Sequence, residues 1–270
     1  MKDVEQKRAA FRALHEDGCF ILPNPWDAGS ARMLQHLGFQ ALASTSAGFA
    51  WTTGQPDYRV ARAAVIGHLA LMCGAVDLPV NADFESGFAA TPEGVAESVR
   101  MAVEAGVAGL SIEDRDLERG GLYDTPMAID RLHAAKGVTA ASGAILVART
   151  EILLMEPDQV TRATDSLVAF ADAGADCLYA PGVRKREDIA AMARAVAPKP
   201  LNVLAIDPTM TLNELRDLGV RRISVGGSLA RVGWAATVAA AREIHGGSFA
   251  VLAQGMPSKD INAVFAGFPA

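Results

Sequence analysis

Short, almost wholly apolar runs alternate along the chain with stretches whose apolar residues recur at helical spacing. The runs lie near residues 19–23, 40–44, 78–83, 108–112, 144–149, 177–180, 201–205 and 222–225. Each is too short for a helix and lacks the polar alternation of a half-exposed strand, so it reads as a strand buried on both faces. Helical periodicity fills the intervals at 28–37, 58–74, 91–106, 127–137, 157–174, 185–196 and 211–218, then 229–244, after a leading helix over 3–16. Eight strands, each followed by a helix, in about 250 residues predict an α/β fold, a TIM-type (β/α)8 barrel.

The punctuation agrees. Gly106-Val107, Gly174-Ala175 and Gly219-Val220 end helices just before strands, where a glycine takes a left-handed conformation without steric cost. Pro92 and Pro157 read as first-turn prolines. An open doubly wound sheet is the rival, but no Gly-x-Gly-x-x-Gly fingerprint supports it. Residues 1–270 are read as one domain, with 246–270 as a C-terminal extension. Phe249, Val251, Leu252, Ile261, Val264 and Phe265 in that extension need burial, expected against a neighbouring subunit.

Composition narrows the partners. Half of the 270 residues are hydrophobic, enough for a large core, and the net charge of −6 disfavours nucleic acid or an anionic membrane. No window approaches the ~18 uninterrupted apolar residues of a membrane span. The charged start, Met1-Lys2-Asp3-Val4-Glu5, reads as the lead into an amphipathic helix rather than as a secretory apolar stretch. A cytoplasmic location is expected. Cys19, Cys73 and Cys177 are far apart, so they read as small buried hydrophobes, not a disulfide framework or zinc site.

The chemistry lies where strands end. Leu78-Pro79-Val80-Asn81-Ala82 delivers Asp83 and Glu85; Ala108-Gly109-Leu110-Ser111-Ile112 delivers Glu113 and Asp114; Ala144-Ile145-Leu146-Val147-Ala148 delivers Arg149, then Glu151. Charge is costly in a core but useful at the C-terminal rim of a barrel. All five histidines fall in helical segments, leaving oxygen ligands that suit Mg²⁺ or Mn²⁺. Asp83, Glu85 and Glu113 are the candidates; simple ion pairs around the rim are the plainer alternative. Arg149 can grip a carboxylate or phosphate at two points, or serve as a salt bridge to Glu113 or Glu151. Ser44-Thr45-Ser46-Ala47-Gly48 and Gly226-Gly227-Ser228 offer small residues for close approach to an anion. The charged, glycine-bearing segment 114–125 has the character of a lid or of an ordinary exposed loop.

Taken in order, these residues resemble the isocitrate lyase/phosphoenolpyruvate mutase superfamily over nearly the whole chain. The matching pieces are Asn24-Pro25-Trp26-Asp27-Ala28-Gly29-Ser30-Ala31, Ser46-Ala47-Gly48 with Gly54-Gln55-Pro56-Asp57, and Asp83-Phe84-Glu85-Ser86-Gly87-Phe88. Ser111-Ile112-Glu113-Asp114, Ala148-Arg149-Thr150-Glu151 and Pro200-Leu201-Asn202-Val203 complete the set. The resemblance implies Mg²⁺ held mainly through water by Asp57, Asp83, Glu85 and Glu113. It implies a small 2-oxo or 2-hydroxy carboxylate bound by Ser46, Ala47, Gly48, Arg149 and Asn202, and cleavage through a metal-stabilised enolate. It also implies a homo-oligomer, a tetramer or dimer, whose last helix is exchanged between subunits.

The departures shape the expectation. Isocitrate and methylisocitrate lyases carry Lys-x-Cys-Gly-His in the loop after the fourth strand, and mutase and hydrolase members carry a lysine and an asparagine there. Residues 114–125 contain no lysine, cysteine, histidine or asparagine. Oxaloacetate decarboxylases of the family use a histidine near the eighth strand, where this chain has Gly226-Gly227-Ser228. The expectation is therefore a Mg²⁺-dependent carbon–carbon lyase, with oxaloacetate-type decarboxylation the least demanding reaction. Arg149 and Glu113 would serve catalysis, with Tyr123 as the acid. The alternatives are phosphonopyruvate hydrolase or mutase chemistry, and a non-catalytic barrel that binds an oxo acid.

Overall fold

Every apolar run becomes a strand. The structure, a computed structural model, describes residues 2–268. In chain order the strands are β1 (Phe20–Leu22), β2 (Leu42–Ala43), β3 (Val80–Asp83), β4 (Gly109–Glu113), the short β5 (Arg115–Asp116) and β6 (Gly121–Leu122), then β7 (Ile145–Arg149), β8 (Cys177–Tyr179), β9 (Leu201–Leu204) and β10 (Arg222–Ser224). β5 and β6 form an antiparallel hairpin, and the other eight make one parallel sheet ordered β1-β10-β9-β8-β7-β4-β3-β2. Its two ends, β1 and β2, are consecutive in sequence, so the sheet curls into a nearly closed barrel. A main-chain bond from Ala43 N–H to the Pro23 carbonyl (3.0 Å) crosses the seam. Asn24 reinforces it by donating to the Ser44 carbonyl (2.8 Å), and ties β1 to the end of β10 by accepting from the N–H groups of Val225 and Gly226 (both 2.9 Å).

The helices are α1 (Val4–Glu16), α2 (Ala28–His36), α3 (Ser46–Thr52), α4 (Arg62–Ala75), α5 (Pro92–Glu104), α6 (Thr125–Ser142), α7 (Ile152–Met155), α8 (Val160–Asp172), α9 (Arg186–Val196), α10 (Leu212–Asp217), α11 (Ser228–His245) and α12 (Ser258–Ala266). Gly106, Gly174 and Gly219 adopt positive φ as expected. Pro92 opens α5 behind a Thr91 cap. Pro157 departs from expectation: it lies between α7 and α8, whose N-cap is Gln159. The sequence also hid α3, because its seven residues are mostly small and show no usable periodicity.

α1 closes the N-terminal end of the barrel. Phe11 is fully buried there, edge-on to His15 and Phe20. Lys7 Nζ donates to the carbonyls of Cys73 (2.8 Å) and Val76 (2.6 Å), and Arg8 donates to those of Val103, Val107 and Ser142. Cations thus satisfy carbonyls exposed at the ends of α4, α5 and α6. All five histidines sit in helices, but His15 and His68 are buried rather than solvated. Cys73 and Cys177 are buried and Cys19 half-buried, all as free thiols.

The C-terminal segment divides in two. α12 returns to α2, burying Val264 and placing the Phe265 ring 3.8 Å from where a side chain on Gly29 would begin. α11 buries only Ala230 and leaves Val232, Trp234 and Val238 exposed; Phe249 and Leu252 beyond it are exposed as well. No helix among the described residues is long and apolar enough to cross a membrane.

Candidate active site

Sheet register assembles the site. Glu113 pairs with Arg149, Arg149 with Tyr179, Tyr179 with Asn202, and Asn202 with Arg222. Five neighbouring strands therefore contribute one row of polar side chains to the barrel interior, since paired residues share a face and a one-residue slip would turn them outward. Asp83 and Ser111 pair in the same way beside this row.

Arg149 is the hub of the carboxylates. Its Nε lies 2.6 Å from Glu151 Oε1 and 3.4 Å from Glu113 Oε2, and its Nη1 lies 3.2 Å from Asp83 Oδ1. Burial alone would lower its pKa; Glu151, Glu113 and Asp83 overcome that and hold it above the ordinary range. One cation does not balance the group. Burial, then Glu151 and Asp83, push Glu113 well above the usual carboxylate range despite Arg149. Burial, Asp83 and Asp57 raise Glu85 to about 8, and burial and Asp83 also raise Asp57. Glu113 Oε1 and Glu151 Oε2 are buried without a hydrogen-bond partner. Excess negative charge, oxygen donors only and an orphaned carboxylate oxygen fit a divalent cation. Among the described residues no three such groups converge as direct ligands. An ion that keeps several waters and touches one or two carboxylates does not need them to.

The segment carrying Glu85 is held in an uncommon shape. Glu85, Gly87 and Phe88 have φ of 48°, 83° and 55°. The two non-glycine residues each cost about 1–3 kcal/mol unless the surroundings impose the conformation. Arg131 of α6 imposes it. Only 1% exposed, it donates Nη1 to the Ala90 carbonyl (2.8 Å) and Nη2 to the carbonyls of Ser86 and Ala89 (2.9 Å to the latter).

A cavity of about 150 Å³ opens above the row. Its walls include Ser44, Ser46, Ala47, Asp57, Asp83 and Arg149, with Tyr179, Asn202, Arg222 and Ser224 beneath. The space is that of about five waters at ~30 Å³ each, which limits a ligand to a few carbons. Asp83 Oδ2 accepts from Ser46 N–H (3.0 Å). Tyr179 stacks beside Arg149, with its ring centre 5.3 Å from the guanidinium carbon. Burial pushes the Tyr179 phenol up to about 12.

Most expected residues arrive together; several do not play the part expected. Asp57, Asp83, Arg149, Asn202, Ser46 and Ala47 line the cavity, while Glu85 and Glu113 stand behind its wall. Gly48 N–H is taken by Thr45 Oγ1 (3.2 Å), and a side chain at Gly48 would meet Thr45 at 2.4 Å and Trp26 at 3.1 Å. Its smallness serves packing. Tyr123 lies elsewhere: its ring stacks on Arg131 at 4.2 Å and faces a separate cavity of about 370 Å³. The 114–125 segment is an ordered hairpin, with Arg115 of β5 over the Tyr58 ring at 4.8 Å. Asp114 is structural, accepting from Thr150 Oγ1 (2.7 Å) and Glu151 N–H (2.8 Å). Sequence reasoning missed Tyr58, Tyr179, Arg131 and Arg222. Tyr58 and Arg131 carry no pattern, but Arg222, like Asn81 and Asn202, is a polar residue inside an apolar strand, which is a usable signal.

The chain is similar to known proteins over most of its length. The phosphoenolpyruvate phosphomutase family profile matches residues 11–245. An uncharacterized protein of Mycobacterium tuberculosis is 32% identical, over 88% of this chain and 90% of that one. The 2-methylisocitrate lyase of Escherichia coli is 27% identical, over 78% and 75%. The oxaloacetate decarboxylase of Rhodopseudomonas palustris is 27% identical, over 96% and 89%. The crystal structure of a candidate lyase/mutase from Burkholderia cenocepacia superimposes with a TM-score of 0.94 at 44% identity, covering 98% of both chains.

Proposed function

The chain belongs to the phosphoenolpyruvate phosphomutase family, and from that premise we propose a Mg²⁺-dependent carbon–carbon lyase acting on a small 2-oxo or 2-hydroxy carboxylate. The observation that carries this reading is the unbalanced carboxylate group around Arg149, set against a cavity that admits only a few carbons. Asp57, Asp83, Glu85 and Glu113 would hold the ion and its waters. A divalent ion bound there stabilises charge developing on an enolate oxygen. The chain's own residues do the rest. Ser46 and Arg149 are already bonded to Asp83, which fixes the carboxylate's direction. Arg149 keeps its charge at the cavity wall, where a reacting oxyanion would gather. Glu151 and Tyr179 set the plane of its guanidinium.

Decarboxylation of an oxaloacetate-type acid asks least of this site. The bond to the departing carboxylate breaks, CO₂ leaves, and the electron pair passes into an enolate that is then protonated on carbon. The 114–125 hairpin supplies no cysteine, lysine or histidine for a more demanding acid step. The exposed apolar face of α11 supports a homo-oligomer in which this helix packs on a second subunit. The test is a panel of 2-oxo acids, 2-hydroxy diacids and phosphonopyruvate with Mg²⁺, repeated in EDTA. Pyruvate from oxaloacetate, lost in EDTA, is expected; phosphate from phosphonopyruvate alone would replace this reading with phosphorus–carbon cleavage.

A further inference from the structure

Arg222 is buried at 3% exposure in the middle of the barrel, yet it faces no carboxylate. Its Nε donates to Asn202 Oδ1 (3.1 Å) and its Nη1 to Asn81 Oδ1 (3.4 Å), both neutral amides. Among the described residues no acidic group lies within ion-pair distance, whereas Arg149 has three. The Phe11 ring lies beneath it, 5.9 Å from the guanidinium carbon. His15 cannot share the charge, because burial and then Arg222 itself push that imidazole down to about 3. A guanidinium taken out of water costs several kcal/mol unless an anion meets it. Two amides hold its plane without neutralising it. Its remaining side is the floor of the same small cavity that Arg149 and Asp83 wall.

We propose that Arg222 is an anion subsite that receives a second carboxylate of the substrate. This rests on the oxo-acid reading above and narrows it to dicarboxylates. Arg149 and Arg222 stand three strands apart in one register row, with Tyr179 and Asn202 between them. Their side chains converge on one cavity, so one small acid can reach both. A cation gripping a carboxylate that must depart as CO₂ would oppose its loss. An oxaloacetate-type acid loses the carboxylate β to its carbonyl, so the carboxylate on Arg222 is the one beside the carbonyl carbon, which stays on the product.

The test compares malate with 3-hydroxybutyrate, in which a methyl group replaces the carboxylate beside the hydroxyl-bearing carbon, by calorimetric titration of the full-length protein in Mg²⁺. A charge-assisted hydrogen bond of this kind is worth about 10- to 100-fold in affinity, so malate should bind tighter by that factor. Arg222→Gln should erase the preference while leaving 3-hydroxybutyrate binding in place, and Arg222→Lys should keep part of it. Should Arg222→Gln fail to fold, Asn81→Asp sets a fixed carboxylate against the guanidinium and should erase the preference with Arg222 still present. Equal binding of the two acids by the unaltered protein, or a malate preference that survives Arg222→Gln or Asn81→Asp, overturns the Arg222 assignment alone. Failure of both acids to bind overturns the oxo-acid reading and this inference with it.

Discussion

Replacing Arg131 by methionine should weaken both the fold and the metal site, because one side chain serves both. The guanidinium makes three bonds to the carbonyls of Ser86, Ala89 and Ala90. At about 1.5–3 kcal/mol for each charged bond, a simple sum would reach roughly 5–9 kcal/mol. That sum is too large. Methionine avoids the cost of burying a charge, and Arg131 Nε already lacks a partner. The better guide is about 1–3 kcal/mol for each carbonyl left without a donor, less the charge burial avoided, or ~3–5 kcal/mol in all. At about 2–4 °C per kcal/mol for a domain of this size, melting should fall by roughly 6–20 °C. The freed carbonyls would also release the segment that holds Glu85 and Phe88 in their left-handed conformations, turning Glu85 from its place. Mn²⁺ affinity, followed by electron paramagnetic resonance, should then drop by ~10- to 100-fold, the usual effect of losing an outer-shell support. Arg131→Lys should recover part of both. A melting temperature unchanged within about 2 °C, or intact Mn²⁺ binding in a destabilised variant, would refute the link from Arg131 through the loop to Glu85.

Asp83→Ala should abolish Mg²⁺-dependent turnover while shifting the melting temperature little, since this half-buried rim residue adds little to the core; activity that persists in excess EDTA contradicts the metal assignment. His15 predicts a pH effect: burial and Arg222 lower its folded pKa to about 3 from ~6.5 unfolded. Its contribution is thus full above pH ~6.5 and lost on acidification, about 3 kcal/mol by pH 4.5. His15→Phe should flatten the melting curve between those values, and parallel curves would exclude the effect. Isocitrate and 2-methylisocitrate should be turned over at least ~10²-fold more slowly than the best substrate, for want of a general acid in the 114–125 hairpin; glyoxylate released at ordinary rates would show otherwise. Light scattering should find a dimer or tetramer, and a stable micromolar monomer would leave Val232, Trp234 and Val238 without a reason to be apolar.

Strand positions were legible because a buried parallel strand needs a short run of apolar residues ending in punctuation, and all eight of these do. The acids at Asp83, Glu113 and Arg149's partner Glu151 were legible because charge is conspicuous at the end of such runs. What escaped has a common cause. Tyr123 sits in the right loop by sequence, but the hairpin turns it onto Arg131. Gly48 follows the expected serine, yet Trp26 and Thr45 claim its space. Tyr58 reaches the carboxylates from a turn with φ of 62°, and no periodicity reports a left-handed residue. Arg131 looks like any helical arginine until α6 is laid against the Ser86–Ala90 carbonyls. These placements depend on how loops fold back, which local pattern does not encode. Arg222 is different, since its polar intrusion into an apolar strand was visible and only its direction was not.

The seam between β1 and β2 bears on time rather than shape. Elsewhere in the sheet, opening the barrel means breaking a ladder of several main-chain bonds; between β1 and β2 the bond from Ala43 N–H to Pro23 and the Asn24 side chain's bond to the Ser44 carbonyl stand in for that ladder. Amide hydrogen exchange should therefore be fastest, among strand residues, at Ala43, whose N–H makes the main-chain bond across the seam. Because Asn24 and Ser44 also border the cavity, each such opening widens its mouth and adds a route by which a bound acid exchanges with solvent.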